Sequence, residues 1–335
     1  MKYIKRTATI FAAGLTALLL LSLLFAGYFL SPMYEESRFG NTDYNFPPNA
    51  PWIQMNEGVS WGRLDSQGFN NPAVIEDPEI LILGSSHMEG TYLFQDQLLG
   101  SQLQALLGPE ARIYNMGISG GNFGKCVQYL EKTLEIYDTP PRLLIIEAAD
   151  VALSQEQVTE ILDSTMASIY SPKPRWLKPI LGLPFLRQLA RQKNLGLLDL
   201  LNPEIHPFSV NSPSLPAPSQ EPDPIYDPLF AHLQALTEPL GVQVLIFYHP
   251  QVILSPDGQA QVFRDPNTDL FAEKCQSHGI GFLDMTEKFK TMYAQEHVVP
   301  HGFCTGRLGE GHLNANGHRA VAEEVFRWIQ EKEGN

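Results

Sequence analysis

A chain of 335 residues with 44% apolar content is long enough for one large α/β domain, and its ordinary Leu, Val and Ile content excludes global disorder. Its 37 acidic against 23 basic residues give a net charge of −14, which repels phosphate backbones and sets nucleic acid aside as a partner. The cysteines Cys126, Cys275 and Cys304 make no zinc-type cluster; outside the cytoplasm Cys275 and Cys304 could pair and leave one over, or all three stay unpaired.

Lys2, Lys5 and Arg6 precede an uncharged stretch, residues 7–34, whose core of 21 mostly apolar residues (10–30) is long enough to cross a bilayer as a helix. Glu35, Glu36 and Asp43 follow, so the positive-inside rule predicts a single-pass anchor over 1–34 in a bacterial-type cell membrane. The N-terminus is then cytoplasmic and the body periplasmic or extracellular. A cleaved signal peptide is the rival; there is no A-x-A site, and the best cut, after Ala26, has Leu24 two residues before it. Either reading exports the body.

Residues 35–78 are rich in Asn, Pro and aromatics, lack sustained periodicity, and read as a juxtamembrane segment wrapped on the domain. From 79 onward the pattern alternates. Short apolar runs predict strands over 79–84, 112–117, 143–147, 243–249 and 281–284. Helical spacing predicts helices near 96–106, 122–137, 155–168, 228–239, 260–277, 285–294 and 315–332. This order predicts an α/β fold, a three-layer α/β/α arrangement over a mainly parallel five-stranded sheet, spanning 79–333. Residues 171–228 interrupt it as an insertion. It holds a basic, apolar stretch (Lys173, Arg175, Lys178, Arg187, Arg191 and Lys193) and then eight prolines in residues 203–228. A lid with a solvated face and a surface for anionic lipid or an acidic polymer are both open.

Two segments carry the chemistry. Gly84-Ser85-Ser86-His87 follows the first strand of the sheet directly. A serine there, on a tight turn leading into a helix, exposes its Oγ and aims backbone N–H groups at an incoming carbonyl oxygen, so Ser86 is the candidate nucleophile. Gly311-His312-Leu313-Asn314 leads into the last helix, from where His312 can reach the first strand's end and act as general base. His312 as a capping or packing residue is the plain alternative. Ser85, His87 and His249 are candidate pocket residues, His249 because it ends the fourth strand. No ligand spacing suggests a metal, and nothing calls for a cofactor.

Together these strings resemble the SGNH (GDSL-like) hydrolase superfamily, in which a G-D-S-type block opens the domain and a D-x-x-H block closes it. The resemblance covers about residues 79–332. It implies the flavodoxin-like SGNH fold and places Asn115 to Gly120 as a second block, with Asn115 and Ser119 beside the pocket and the N–H of Gly120 joining that of Ser86 in the oxyanion hole. Three departures stand out: Ser85 replaces the family's Asp, the third block carries no Asn where Asp150 lies closest, and position 309 is Gly in place of the D-x-x-H acid. Glu310 or Asp150 is the candidate orienting acid; a Ser–His dyad without one is the third option. The resemblance implies an esterase or O-acyltransferase taking acyl, chiefly acetyl, esters of an exported carbohydrate polymer, with no metal or cofactor. A degenerate member that binds glycan or an envelope-complex partner is the alternative, with a lipid-directed esterase in reserve.

Overall fold

The computed structural model describes residues 2–25, 46, 48–54, 57–163, 226–255, 259–303 and 308–334. The insertion over 171–228 lies outside the described residues except for its last three, and so does Cys304.

Five strands form the central sheet: β3 (Ile80–Gly84), β4 (Ile113–Gly117), β5 (Leu143–Ala148), β6 (Gln243–Tyr248) and β9 (Gly281–Asp284). They lie in the order β4-β3-β5-β6-β9, and every pairing is parallel. A parallel sheet needs crossover helices on its faces, and strands covered on both sides read as unbroken apolar runs; β3 is buried at all five positions. Alternation then sorts the side chains. Leu81, Leu83, Tyr114, Met116, Leu144 and Ile146 enter one core, packed under α4 (Phe123–Glu135), α5 (Gln155–Asp163), α6 (Asp227–Thr237) and α7 (Thr268–Ser277). Ile80, Ile82, Ile113, Ile145, Leu245 and Phe247 enter the other, under α3 (Leu99–Leu107), α8 (Thr286–Glu296) and α9 (Ala315–Glu333). The fold is therefore the predicted three-layer α/β/α sandwich. Its strand order reverses at β3, and on such sheets ligands bind beyond the carboxyl ends of the strands at that switch point.

Two antiparallel hairpins escaped the sequence reading. β1 (Pro51–Gln54) pairs with β2 (Ser60–Arg63) inside the segment read as a wrapping stretch, and it is anchored by Trp52, 1% exposed, and by buried Leu64 and Phe69. β7 (Gln251–Leu254) pairs with β8 (Ala260–Phe263), which corrects the helix expected over 260–277. That helix starts only at Thr268, because Asp265 turns the chain and Pro266 resists a helical predecessor. Cys126 and Cys275 are buried free thiols.

α1 (Lys2–Phe25) is exposed along its described side chains except at half-buried Leu18. Among the described residues it is the one helix long and apolar enough to cross a membrane.

Candidate active site

The site lies where β3 ends. The chain leaves Gly84 and turns at once into a single helical turn, α2 (Ser86–Glu89), capped by Ser85, whose Oγ accepts the N–H of His87 at 3.2 Å. Ser86 is thus the first helical residue, just beyond the carboxyl end of β3. The turn is braced from below. Asn115 on β4 donates its amide to the carbonyl of Met88 at 2.6 Å and accepts the N–H of Gly117 at 3.1 Å. Asn115 is 5% exposed, and its amide is taken up by this bracing. Gly117 is required, since a Cβ there would sit 2.2 Å from the backbone N of Glu89.

His312 arrives on the loop before α9. A bridge between His301 and Leu313 and the N–H of Gly302 on the His312 carbonyl (3.0 Å) hold that loop, while Asn314 caps the helix. The N–H of Leu313 donates to Nδ1 of His87 at 2.9 Å, tying the loop to α2. His312 Nε2 then lies 2.8 Å from Ser86 Oγ, although 226 residues separate the two. The ring of Tyr92 stacks on the imidazole, centroids 4.1 Å apart and planes 22° apart.

The carboxylate at the other imidazole nitrogen is Glu57. Its Oε2 lies 2.8 Å from His312 Nδ1 and accepts the His312 backbone N–H at 2.9 Å. This corrects the expected acid. Glu310, although two residues from His312, does not occupy the place, and Asp150 is exposed, with Oδ1 accepting the N–H of Ala152. Geometry explains the choice. Gly311, at φ 91°, has no side chain, and a Cβ there would lie 2.4 Å from Glu57 Oε2, so the turn before His312 leaves room for a carboxylate arriving from the β1–β2 hairpin. Burial alone would raise the pKa of Glu57, but the hydrogen bonds and charge of His312 outweigh it and hold the carboxyl below its ordinary value.

Two further carboxylates lie beneath. Glu147 at the end of β5, 2% exposed, accepts the Ser85 N–H at 2.6 Å and Ser85 Oγ–H at 2.9 Å, and its Oε1 lies 2.9 Å from Nε2 of buried His249. Burial acts to raise its pKa, but the hydrogen bonds with His249 and from the Ser85 N–H outweigh it and hold the carboxyl down at about 2. Glu89 at the end of α2, 4% exposed, accepts the Ser119 N–H at 2.8 Å and the hydroxyls of Ser119 and Thr91 at 3.3 Å each. Its burial dominates and pushes its pKa up to about 7. Of the expected pocket residues, then, Ser85, Ser119 and His249 are tied to these carboxylates, and His87 bridges α2 to the His312 loop. Burial pushes the pKa of His87 down to about 3 and that of His318 to about 4, so both are neutral near pH 7.

His87, Glu147 and His249 bring potential ligand atoms within 4.8 Å of one another, a grouping that sequence spacing did not reveal. The tautomer does not suit a metal. His87 Nδ1 accepts from Leu313, which leaves the ring proton on Nε2 in the neutral imidazole and takes that nitrogen out of ligation.

Among the described residues, no acceptor engages the backbone N–H of Ser86 or of Gly120 (φ 76°). Chemically, the line Glu57–His312–Ser86 can move the serine proton to Nε2 while the carboxylate fixes the tautomer.

Sequence reasoning missed Glu57, Glu89 and Glu147. Glu147 carried a signal, a lone charge closing an apolar strand run, and Glu89 lies three residues after the nucleophile. Glu57 carried none, being in a stretch without periodicity and 255 residues from its partner.

No family model and no curated protein match the chain. Solved structures do. One is a carbohydrate acetylesterase family member from Sinorhizobium meliloti, 14% identical over 77% of this chain and 100% of that one, TM-score 0.34. Another is a member of the lipolytic protein G-D-S-L family from Veillonella parvula, 16% identical over 74% and 96%, TM-score 0.38. A third is the native M. smegmatis aryl esterase, 14% identical over 76% and 99%, TM-score 0.36.

Proposed function

We propose that the protein is a serine hydrolase or acyltransferase of the SGNH type, working through an acyl-enzyme on Ser86. The observation that carries the reading is the unbroken line of two 2.8 Å contacts from Glu57 through His312 to Ser86. Ser86 Oγ attacks an ester carbonyl as His312 Nε2 takes its proton, and Glu57 holds the resulting imidazolium. The N–H groups of Ser86 and Gly120 take the tetrahedral oxyanion, each worth about 3 kcal/mol in the transition state. Collapse expels the alcohol, which receives the proton from His312. Water or a second hydroxyl then attacks the acyl-enzyme with His312 again as base, which gives hydrolysis or transfer respectively.

The substrate class follows the sequence resemblance and the leader: acetyl or other short acyl esters on a carbohydrate polymer outside the cytoplasm, met by a domain tethered through α1. Glu57 beside His312 Nδ1 favours catalysis over the alternative, a glycan-binding protein without turnover.

Labelling with a fluorophosphonate probe tests the reading. The full-length chain is expected to label and to hydrolyse an aryl acetate, and Ser86→Ala and His312→Ala to lose both. Undiminished labelling of Ser86→Ala would show that another residue is the nucleophile.

A further inference from the structure

We infer that Glu147 and Glu89 are positioning residues that together set the oxyanion hole, each by gripping the residue immediately before one of its two backbone donors. This deepens the proposed function and rests on it. The two grips have the same form. Ser85 precedes Ser86, and its N–H and hydroxyl both bond Glu147, at 2.6 and 2.9 Å. Ser119 precedes Gly120, and its N–H and hydroxyl both bond Glu89, at 2.8 and 3.3 Å. In each pair the preceding N–H is spent on a buried carboxylate, and the next N–H is left without an acceptor among the described residues. Fixing a peptide plane and the side chain after it leaves the following N–H little freedom, and preorganised donors are the ones that count in the transition state.

Two physical points favour positioning over a stabilising role. Glu89 is fully enclosed, and its partners are neutral: the Ser119 N–H and two hydroxyls. An ionised carboxylate in that setting costs desolvation that neutral partners do not repay, so an amide or an apolar residue would serve folding as well. What a carboxylate adds is a short, stiff hydrogen bond to a backbone N–H. The second point is need. No Asn follows β5 at the third block, so on the proposed mechanism the hole relies on the N–H groups of Ser86 and Gly120, and their aim matters the more. The scaffold supports the arrangement: Glu147 is the penultimate residue of β5, the parallel neighbour of β3, and Glu89 ends the turn that Ser86 begins, so both grips are referred to the sheet's switch point.

The test compares the full-length wild type with Glu147→Leu, Glu147→Gln, Glu89→Leu and Glu89→Gln on an aryl acetate, with thermal melts to give the folded fraction. The Leu variants are expected to lose about 10²–10³ in kcat with KM within about threefold, the signature of an interaction made in the transition state. The Gln variants keep one acceptor oxygen and are expected within about tenfold of wild type. Leu variants whose kcat, corrected for folded fraction, stays within about threefold of wild type overturn the inference. Should a Leu variant fail to fold, Ser119→Ala removes the hydroxyl arm of its grip, and Ser85→Ala removes that arm together with the cap on the His87 N–H, so its kcat is read against its folded fraction. A fall of about tenfold in kcat supports the inference and no fall refutes it. A wild type that is labelled at Ser86 while the variants are unaffected sinks this inference alone; a wild type that is never labelled there sinks the serine mechanism with it.

Discussion

Glu57→Gln isolates the contribution of the acid with the least steric change. Glu57 Oε2 faces His312 Nδ1 at 2.8 Å, and the two side chains are 31% and 19% exposed. A carboxylate and an imidazolium with charge centres about 4 Å apart attract by about 4 kcal/mol at an effective dielectric near 20. Partial exposure roughly halves that, leaving about 2 kcal/mol, or about 30-fold in rate. The amide adds a second loss. Its NH2 can face Nδ1 and so move the imidazole proton to Nε2, where the ring can no longer accept from Ser86. Together these predict a fall of about 10²–10⁴ in kcat with KM little changed and the melting temperature within a few degrees. Steady-state hydrolysis of an aryl acetate, with the rate of fluorophosphonate labelling as a second readout, measures it. Glu310→Gln and Asp150→Asn serve as controls and are expected near wild type. If Glu57→Gln were fully active while either control lost the activity, the assignment of the acid would be refuted.

Other consequences are equally direct. Gly117→Ala would place a methyl 2.2 Å from the Glu89 backbone N and 2.3 Å from the Met88 carbonyl carbon. A loss of about 3 kcal/mol, read from denaturant midpoints, is expected. Tyr92→Ala removes the ring stacked on His312 and is expected to lower kcat about two- to tenfold through a looser imidazole, measured on the same ester. Glu89→Gln should change how stability depends on pH. Burial raises the Glu89 pKa from 4.5 to about 7, so the folded state holds this proton more tightly than the unfolded chain. Its contribution to stability is therefore greatest below pH 4.5 and declines as pH rises to 7, by an amount on the order of 3 kcal/mol. The Gln variant does not titrate, so its stability relative to wild type should rise across that window in paired chemical melts. A constant difference would show that Glu89 does not titrate there.

The sheet was legible because its strands are buried on both faces. Ile80 to Leu83 and Leu143 to Ile146 leave no polar position to confuse the pattern, and the observed strand bounds differ from the expected ones by a residue at most. Ser86 and His312 were legible for a related reason: a strand's carboxyl end and a capped last helix each leave a local trace, Gly-Ser-Ser in one case and His-Leu-Asn in the other. The acid left none. A carboxylate that meets its histidine across 255 residues is placed by the packing of a hairpin on a loop, and Glu57 differs in no local way from Glu35 or Glu76. Spacing favoured Glu310 only because it is near His312 in the chain, and the structure puts Glu57 at Nδ1. The β7–β8 hairpin was misread for the opposite reason: residues 260–263 carry apolar side chains that suit either a short strand or the start of a helix.

That hairpin-borne carboxylate also decides how much chain makes a working catalyst. On the proposed mechanism, a chain cut at residue 79, where the sheet begins, would keep Ser86, His312 and Gly120 yet discard Glu57, together with the buried side chains Trp52, Leu64 and Phe69. Such a chain would also lose Asp65 and Asn71, whose side chains bond Tyr114 and Asn115 on β4, so the arm belongs to the folded sandwich as much as to the site.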